Sequence, residues 1–197
     1  MKNTIDFFTT SKLYIIMLKG EHVSLKPLEK KHIDQFLKWF NDPEITQYLL
    51  MYRPLTRMEE EDWFNDLKNR ESDVYFSIVI ENKDGSEKLI GNCAIRGINN
   101  KDRVGNFGIV IGEKEFQGKG YGTEAMKLLV DYGFNTLNLN RAELSTFTFN
   151  IRAHKSYLKV GFIEEGRKRQ AVFKNGEYYD EIMFSILRSE WNKRKSI

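Results

Sequence analysis

Residues 104–134 constrain the fold more than any other part of the chain. Residues 104–111 form a nearly continuous apolar run, which is typical of a strand covered on both faces. Three glycines follow within five positions, Gly118, Gly120 and Gly122, and a helix-like sequence comes directly after them. Glycines let the backbone approach an anion closely, and the first N–H groups of a helix face that anion. The sequence therefore predicts a strand, an anion-binding loop and a helix in direct succession.

Two well-known phosphate-binding loops do not fit this spacing. A P-loop has four residues between its first glycine and its Gly-Lys pair, whereas five residues separate Gly112 from Gly118. A P-loop also ends in Ser or Thr, a position that Gly120 occupies here. The dinucleotide fingerprint needs Gly-x-Gly-x-x-Gly, whereas these glycines are spaced Gly-x-Gly-x-Gly. The spacing favours neither a nucleotide kinase nor a nicotinamide-dependent enzyme.

Size and composition indicate one soluble domain. The chain has 197 residues, 41% hydrophobic and 30% charged, and no linker-like segment divides it. Its net charge of +3 is too small to favour nucleic acid as a partner. The sole cysteine, Cys93, is expected to be a core residue, and the three histidines show no metal-ligand spacing. Because no apolar run is long enough to span a membrane, we expect a cytoplasmic protein. Because the histidines lack metal-ligand spacing, we expect no bound metal.

Periodicity and turn signals along the rest of the chain predict an α/β fold with a mixed sheet. Strands are predicted at 23–28, 74–80, 89–98, 104–111, 142–148, 162–173 and 178–187. Helices are predicted at 30–40, at 44–49, after a capping box at Thr56, from the glycine loop to about 134, and from Asn150 to Gly161. This order of strands and helices indicates both parallel and antiparallel strand pairs.

The glycine loop resembles the acetyl-coenzyme A signature of the GNAT superfamily of N-acetyltransferases, Gln/Arg-x-x-Gly-x-Gly/Ala, which Gln117 opens here. Residues 18–28 and 39–44 resemble the family's opening strand and the end of its first helix. Residues 150–162 resemble the segment that packs against the coenzyme. The hairpin and chain end after residue 175 are similar to the branch with ribosomal-protein N-terminal and spermidine/spermine acetyltransferases.

The resemblance implies how the chain is organised. It implies a single GNAT-like domain over residues 17–197, with a mixed central sheet flanked by helices, and an N-terminal extension of residues 1–16. Strands 104–111 and 142–148 are expected to be parallel and to splay apart, so that the coenzyme fills the gap between them. The sequence leaves open whether residues 1–16 result from a misassigned start site, add a strand or form a partner-binding arm.

The resemblance also implies roles for individual residues. Asn150 is expected to contact the pantetheine arm, and Tyr157 to donate a proton to the departing thiolate. Seven residues are two helical turns, so these two side chains can share one face of a helix. The backbone of the preceding strand is expected along the pantetheine and acetyl group, and that of the loop on the pyrophosphate. The residues concerned are Ile109, Val110, Ile111, Gln117, Gly118, Lys119, Gly120, Tyr121 and Gly122.

The implied function is acetyl-CoA-dependent N-acetylation of a primary amine by direct transfer, with acetyl-CoA as cosubstrate and no metal. The acceptor is a polyamine, a protein N-terminus or an amino sugar, so the expected partner is a small-molecule amine or a protein N-terminus. Nucleic acid and membrane are not expected partners, and homo-oligomer formation is left open. The alternative is a non-catalytic acyl-CoA sensor, which would not need Tyr157.

The general base is not evident from the resemblance. The family often carries Glu early in the strand before the loop, where this chain has Asn106, and an amide cannot accept a proton at neutral pH. Glu143, Glu81 or a chain of water molecules remain as alternatives. The acidic run of residues 59–62 either complements a helix dipole at its N-terminus or attracts cationic acceptors.

Overall fold

The computed structural model describes residues 5–10 and 13–195. In these residues nine strands form one sheet, in the order β1-β2-β3-β4-β5-β6-β7-β9-β8. The strands are β1 (Ile5–Thr10), β2 (Leu13–Lys19), β3 (Ser24–Pro27), β4 (Val74–Glu81), β5 (Glu87–Asn99), β6 (Val104–Ile111), β7 (Arg141–Phe147), β8 (Ile163–Lys174) and β9 (Glu177–Leu187). The helices are α1 (Ile33–Phe40), α2 (Pro43–Thr46), α3 (Arg57–Asp66), α4 (Tyr121–Asn135), α5 (Ile151–Val160) and α6 (Arg188–Lys195).

Helices cover both faces of the sheet, as alternation along β4 shows. Phe76 points to one face, where its ring meets Tyr132 of α4 at 5.3 Å. Its neighbour Tyr75 points to the other face, where its ring meets Trp63 of α3 at 5.1 Å. Because successive side chains of a strand lie on opposite faces, α4 and α3 are on opposite sides of the sheet.

The core lies mainly between the sheet and α4. Leu129, Val130 and Phe134 of α4 are fully buried there. Cys93 is buried in the same cluster, and burial raises the pKa of its thiol well above the usual range. The prediction that this cysteine is a core residue is therefore confirmed.

The central strands diverge where the resemblance implies that they do. β6 and β7 are parallel and pair only at Val104 with Arg141, Gly105 with Ala142, and Asn106 with Glu143. Beyond that register β6 continues to Ile111 alongside β5 alone, while β7 continues alongside β9. The result is a gap in the sheet that opens toward the glycine loop, which confirms the predicted splay.

Local capping signals set the ends of the helices near this gap. Asn150 caps α5 by accepting a hydrogen bond from the N–H of Ala153 at 3.2 Å, and Gly161 ends that helix with φ of +120°. Thr56 and Glu59 form the predicted capping box at the start of α3. The strand predicted at 142–148 starts and ends one residue earlier, because Thr148 already belongs to the turn before Asn150.

The segment predicted as an extension contains strand structure. β1 pairs along its length with β2, whereas β2 joins β3 only through Leu18 opposite Leu25 and Lys19 opposite Ser24. A two-stranded ribbon with so little further pairing is marginally stable by itself. That residues 17–197 are a self-sufficient domain stays a prediction.

Candidate active site

The glycine loop presents backbone rather than side chains at the start of α4. Gly118 has φ of +74° and Gly120 φ of +96°, conformations that other residues rarely adopt. Apart from the glycine itself and its two chain neighbours, no atom of the described residues lies within 4 Å of the position that a Cβ would take at either glycine. Since α4 begins at Tyr121, its first N–H groups lack intrahelical partners and face this open space. The loop therefore has the geometry of an anion site.

Gln117 shapes the loop through its side chain. Its Nε2 donates to the carbonyl of Ile111 at 2.7 Å, and its Oε1 accepts a hydrogen bond from Arg152 at 2.6 Å. Its backbone N–H is also used, because it donates to the carbonyl of Lys114 at 3.1 Å. The neighbouring Lys119 is exposed inside the loop. Gln117 thus ties the loop to the end of β6.

On its gap side, the second half of β6 pairs with no other strand of the described residues. The N–H of Gly112 donates to the carbonyl of Ile90 at 2.9 Å, so at this position the backbone faces β5. Peptide groups alternate along a strand, so Ile109 and Ile111 direct theirs toward β7, and Val110 directs its own toward β5. Since β7 pairs only as far as Asn106, the peptide groups of Ile109 lie along the gap.

Tyr157 lies on the buried face of α5, two turns after Asn150. Its ring packs against Phe184 at 5.9 Å and Phe162 at 6.1 Å. Burial raises the pKa of its hydroxyl to about 12, so the phenol keeps its proton at physiological pH. This state suits a hydrogen-bond or proton donor and excludes a phenolate that acts as general base.

Arg152 joins the two walls of the gap, a role that the sequence interpretation missed. Besides its bond to Gln117, its guanidinium lies over the ring of Tyr48 at 5.3 Å. A second contact between the walls is the 2.8 Å hydrogen bond between the hydroxyls of Thr123 in α4 and Ser156 in α5. Its one sequence signal is its position in the first turn of the helix predicted after Asn150.

The other mouth of the gap is bounded by the chain around α2 and by the β8–β9 hairpin. Lys174, at the hairpin end, donates from Nζ to the carbonyls of Met51 at 2.8 Å and Thr46 at 3.3 Å. Aromatic rings line this side, since Phe149 lies 5.9 Å from Tyr48 and 4.6 Å from Tyr179. This mouth is therefore mainly aromatic.

The carboxylates considered as bases differ in their surroundings. Glu143 lies opposite Asn106 at the last paired position and forms an ion pair with Arg141. Glu81 is exposed at the end of β4. In the acidic run, hydrogen bonds to Thr56 lower the pKa of Glu59 to about 2. The run therefore does start a helix, as one of its two interpretations proposed.

Comparison with known proteins identifies the family. A sequence profile of the GNAT acetyltransferase domain matches residues 22–163. Spermidine N(1)-acetyltransferase from Escherichia coli (strain K12) is 30% identical over 175 residues, covering 89% of this chain and 91% of that protein. YdaF of Bacillus subtilis (strain 168), provisionally named a ribosomal N-acetyltransferase, is 27% identical over 187 residues, covering 89% and 97%. The chain therefore belongs to the GNAT family of acetyltransferases.

A solved structure agrees with this assignment. Spermidine N-acetyltransferase from Vibrio cholerae, in a crystal structure with CoA and spermine, matches with a TM-score of 0.80 and 28% identity. The match covers 88% of this chain and 99% of that one. The protein is thus an N-acetyltransferase that moves an acetyl group to an amine, as the sequence resemblance predicted.

Two other kinds of feature are absent from the described residues. None of their helices is long and apolar enough to cross a membrane. Nor does this part of the chain bring together three His, Cys, Asp or Glu side chains in an arrangement suited to a metal ion.

Proposed function

We propose that this protein acetylates a primary amine with acetyl-CoA bound in the gap between β6 and β7. The observation that carries the proposal is the end of β6–β7 pairing at Asn106, directly before the open glycine loop. The N–H groups of residues 118–122 bind the pyrophosphate. The free peptide groups of Ile109, with the adjacent backbone of Val110 and Ile111, bind along the pantetheine arm.

The residues of α5 complete the coenzyme site in this proposal. Asn150 uses its Oδ1 to cap the helix, which leaves its amide nitrogen to donate to the pantetheine arm. Gln117 and Arg152 contribute by holding the two walls together. Lys119, exposed in the loop, places a positive charge beside the phosphates, and Tyr121 and Gly122 supply the first helical N–H groups.

Tyr157 assists departure of the thiolate. A pKa of about 12 is above the roughly 8.5 of an ordinary thiol, so complete transfer of the phenol proton to sulfur is uphill. The hydroxyl therefore acts as a relay. It donates to the sulfur while it receives the proton that the attacking nitrogen loses. The hydrogen bond also stabilises the charge that develops as the bond to sulfur breaks.

The acceptor side favours an amine with a single positive charge. Three surface carboxylates near this mouth are already paired, since Lys114 bridges Asp42 and Glu44 at 2.8 and 3.0 Å, and Arg53 holds Glu59. With aromatic rings around the mouth, this chemistry supports a protein N-terminus over a polyamine as acceptor. The spermidine acetyltransferases among its relatives support the opposite choice, so the acceptor is a question for experiment.

An amine panel tests the proposal. Purified protein is incubated with acetyl-CoA and a polyamine, an amino sugar or a short peptide with a free N-terminus, and free coenzyme A thiol is measured. We expect release with at least one amine, and faster release with the peptide than with spermidine. Faster release with spermidine would contradict the acceptor class alone. Absence of release with every amine would contradict the function.

A further inference from the structure

Helix α3 buries a carboxylate where an apolar side chain is expected. Within α3, Glu60 is the buried residue, with 4% of its surface exposed, whereas Trp63 and Phe64 are only half-buried. The Oε1 atom of Glu60 has no hydrogen-bond partner among the described residues. Burying a carboxylate without a partner is costly, and buried polar groups without a structural partner are candidates for a functional role. The position of Glu60 therefore needs an explanation beyond packing.

Glu60 faces the side of the sheet away from α4 and α5. It lies three residues before Trp63, so the two side chains project from one face of α3. Trp63 packs edge-on against Tyr75 of β4, so this face of α3 meets the sheet. Residues directly opposite in neighbouring strands share a face, which places Ala94 and Gly108 beside Tyr75 on that side.

A second unpartnered polar atom lies on the same face. Oδ1 of Asn92, in β5, also has no hydrogen-bond partner within the described part of the chain. Asn92 is opposite Ser77 of β4 on one side and opposite Val110 of β6 on the other. Ser77 points to the α1–α3 side, because its hydroxyl bonds to His32 at 2.8 Å. Two orphan acceptors thus lie on the side of the sheet opposite α4, near the strand that borders the gap.

We propose that Glu60 accepts the proton of the acceptor ammonium, directly or through one bridging water, and that Asn92 accepts a hydrogen bond from the same amine. This inference rests on the proposed function. The face of α3 that carries Glu60 meets the sheet at β4, and β4 and β6 are two strand spacings apart, roughly 10 Å. The Glu60 side chain and one bridging water can span this distance to an amine above Val110. In this proposal the buried carboxylate of Glu60 does the work of the Glu that the family often carries at the position of Asn106.

The proton and bond changes balance. The ammonium gives one proton to the Glu60 carboxylate, and the neutral nitrogen forms a bond to the acetyl carbon as the carbon–sulfur bond breaks. The nitrogen's second proton passes through the Tyr157 hydroxyl to the sulfur. The products are the amide, the free thiol and a protonated Glu60, which returns its proton to water.

The electrostatic surroundings of Glu60 suit this task. Burial raises the pKa of its carboxyl to about 7, close to the value at which a general base is most effective. On α3 itself, Glu59 and Glu61 are held by arginines. The elements shown to contact α3 are α1, the turn of residues 67–69 and, through Tyr75, β4. Their titratable or charged groups are Asp34 and Lys38 of α1, Lys68 of the turn, and Tyr75 and Glu81 of β4, with His32 just before α1 and Asp73 just before β4. Burial, and none of these charges, causes the raised pKa.

The test compares Glu60→Gln with Glu61→Gln. The control changes the half-buried neighbour on the same helix, Glu61, which pairs with Arg57 at 3.5 Å. For each protein, kcat/KM is measured from pH 6 to 10 with the best amine of the panel, and coenzyme A affinity is measured by calorimetry. We expect Glu60→Gln to lower kcat/KM at pH 7.5 by about 10²–10⁴-fold, with coenzyme affinity unchanged. We also expect it to remove the rise in rate centred near pH 7, whereas Glu61→Gln retains the wild-type profile.

Other outcomes separate this inference from the proposed function. A Glu60→Gln protein with a wild-type rate and pH profile, beside an active wild type, overturns the role of Glu60 and leaves the function standing. A wild type that acetylates no amine overturns both. Should Glu60→Gln fold poorly, Glu60→Asp keeps a carboxylate in the same helix and must show a measurable but displaced pH profile. A pH profile for Glu60→Asp identical to that of wild type contradicts the proposal.

Discussion

Replacing Gly120 with alanine separates the two reasons for a glycine at this position. With φ of +96°, an alanine there adopts a left-handed conformation, which costs about 1–2 kcal/mol. Apart from residue 120 and its two chain neighbours, no atom of the described residues lies within 4 Å of the new methyl group, so no clash with the rest of the described protein adds to this cost. For a domain of this size, about 1 kcal/mol corresponds to a fall in Tm of about 2–4 °C. We therefore expect a folded protein with a Tm lower by roughly 2–8 °C.

The effect on coenzyme binding should be larger. The methyl group would occupy the open space that the loop presents to the pyrophosphate, displacing at least one hydrogen bond from a backbone N–H to a charged oxygen. Such a bond contributes about 1.5–3 kcal/mol, and each 1.4 kcal/mol is tenfold in Kd. We expect calorimetry to show coenzyme A affinity weakened by about 10- to 150-fold.

Gly85 provides a matched control. Its φ is +80°, and it lies in the turn between β4 and β5. Its two chain neighbours apart, no other described residue has an atom within 4 Å of the position that a Cβ would take. Gly85→Ala should therefore lower Tm by the same few degrees and leave coenzyme affinity unchanged. Equal affinities for Gly120→Ala and Gly85→Ala would refute the view that the loop backbone binds the coenzyme.

Two further predictions concern Tyr157 and the N-terminal segment. Tyr157→Phe removes the donor hydroxyl but little volume, so turnover should fall by about 10²–10⁴-fold while coenzyme A affinity, measured by calorimetry, is retained. Near-normal turnover would leave Tyr157 as a packing residue. A protein of residues 17–197 should keep the Tm and kcat of the full chain, because β2 joins β3 only through Leu18 and Lys19, which this protein retains. A large loss of Tm or kcat would show that the β1–β2 ribbon is an integral part of the domain.

The parts of the fold that the sequence predicts well are those set by local rules. The strand, glycine loop and helix from residue 104 to residue 135 are adjacent in the chain, and their apolar periodicity and glycines are sufficient to place them. The start and end of α5 follow from two residue types: the side-chain oxygen of Asn150 caps the first turn, and Gly161 adopts the left-handed φ that ends the helix. Such features do not depend on the rest of the molecule.

The features that sequence reasoning missed depend on tertiary packing. Arg152 and Gln117 are 35 residues apart, and only the arrangement of α5 beside the loop brings them into contact. Glu60 stands in a run of four acidic residues that looks like an exposed helix start. The capping box accounts for Glu59, and the spacing of three residues before Trp63 puts Glu60 on the face of α3 that meets the sheet, but only the packing of that face shows that Glu60 is buried.

The buried Glu60 also predicts how stability depends on pH. Its folded-state pKa is raised from 4.5 to about 7, so the folded protein favours the protonated form. The contribution of Glu60 is therefore most favourable below about pH 4.5 and is lost as the pH rises through 7. A shift of this size corresponds to about 3 kcal/mol between those limits.

Glutamine at position 60 is neutral at every pH and keeps the shape of the side chain. Glu60→Gln should therefore have a higher Tm than the wild type at pH 8, and this gain should shrink as the pH is lowered toward 4.5, as thermal unfolding across that range can show. A paired surface carboxylate such as Glu59 has the opposite sign, because its lowered pKa makes its contribution disappear on acidification. If Glu60→Gln were less stable than the wild type at pH 8, the carboxylate would have to be making a favourable contact when charged, and its burial would no longer indicate a catalytic role. A more stable and less active protein is the result expected of a residue retained for chemistry at a cost in stability.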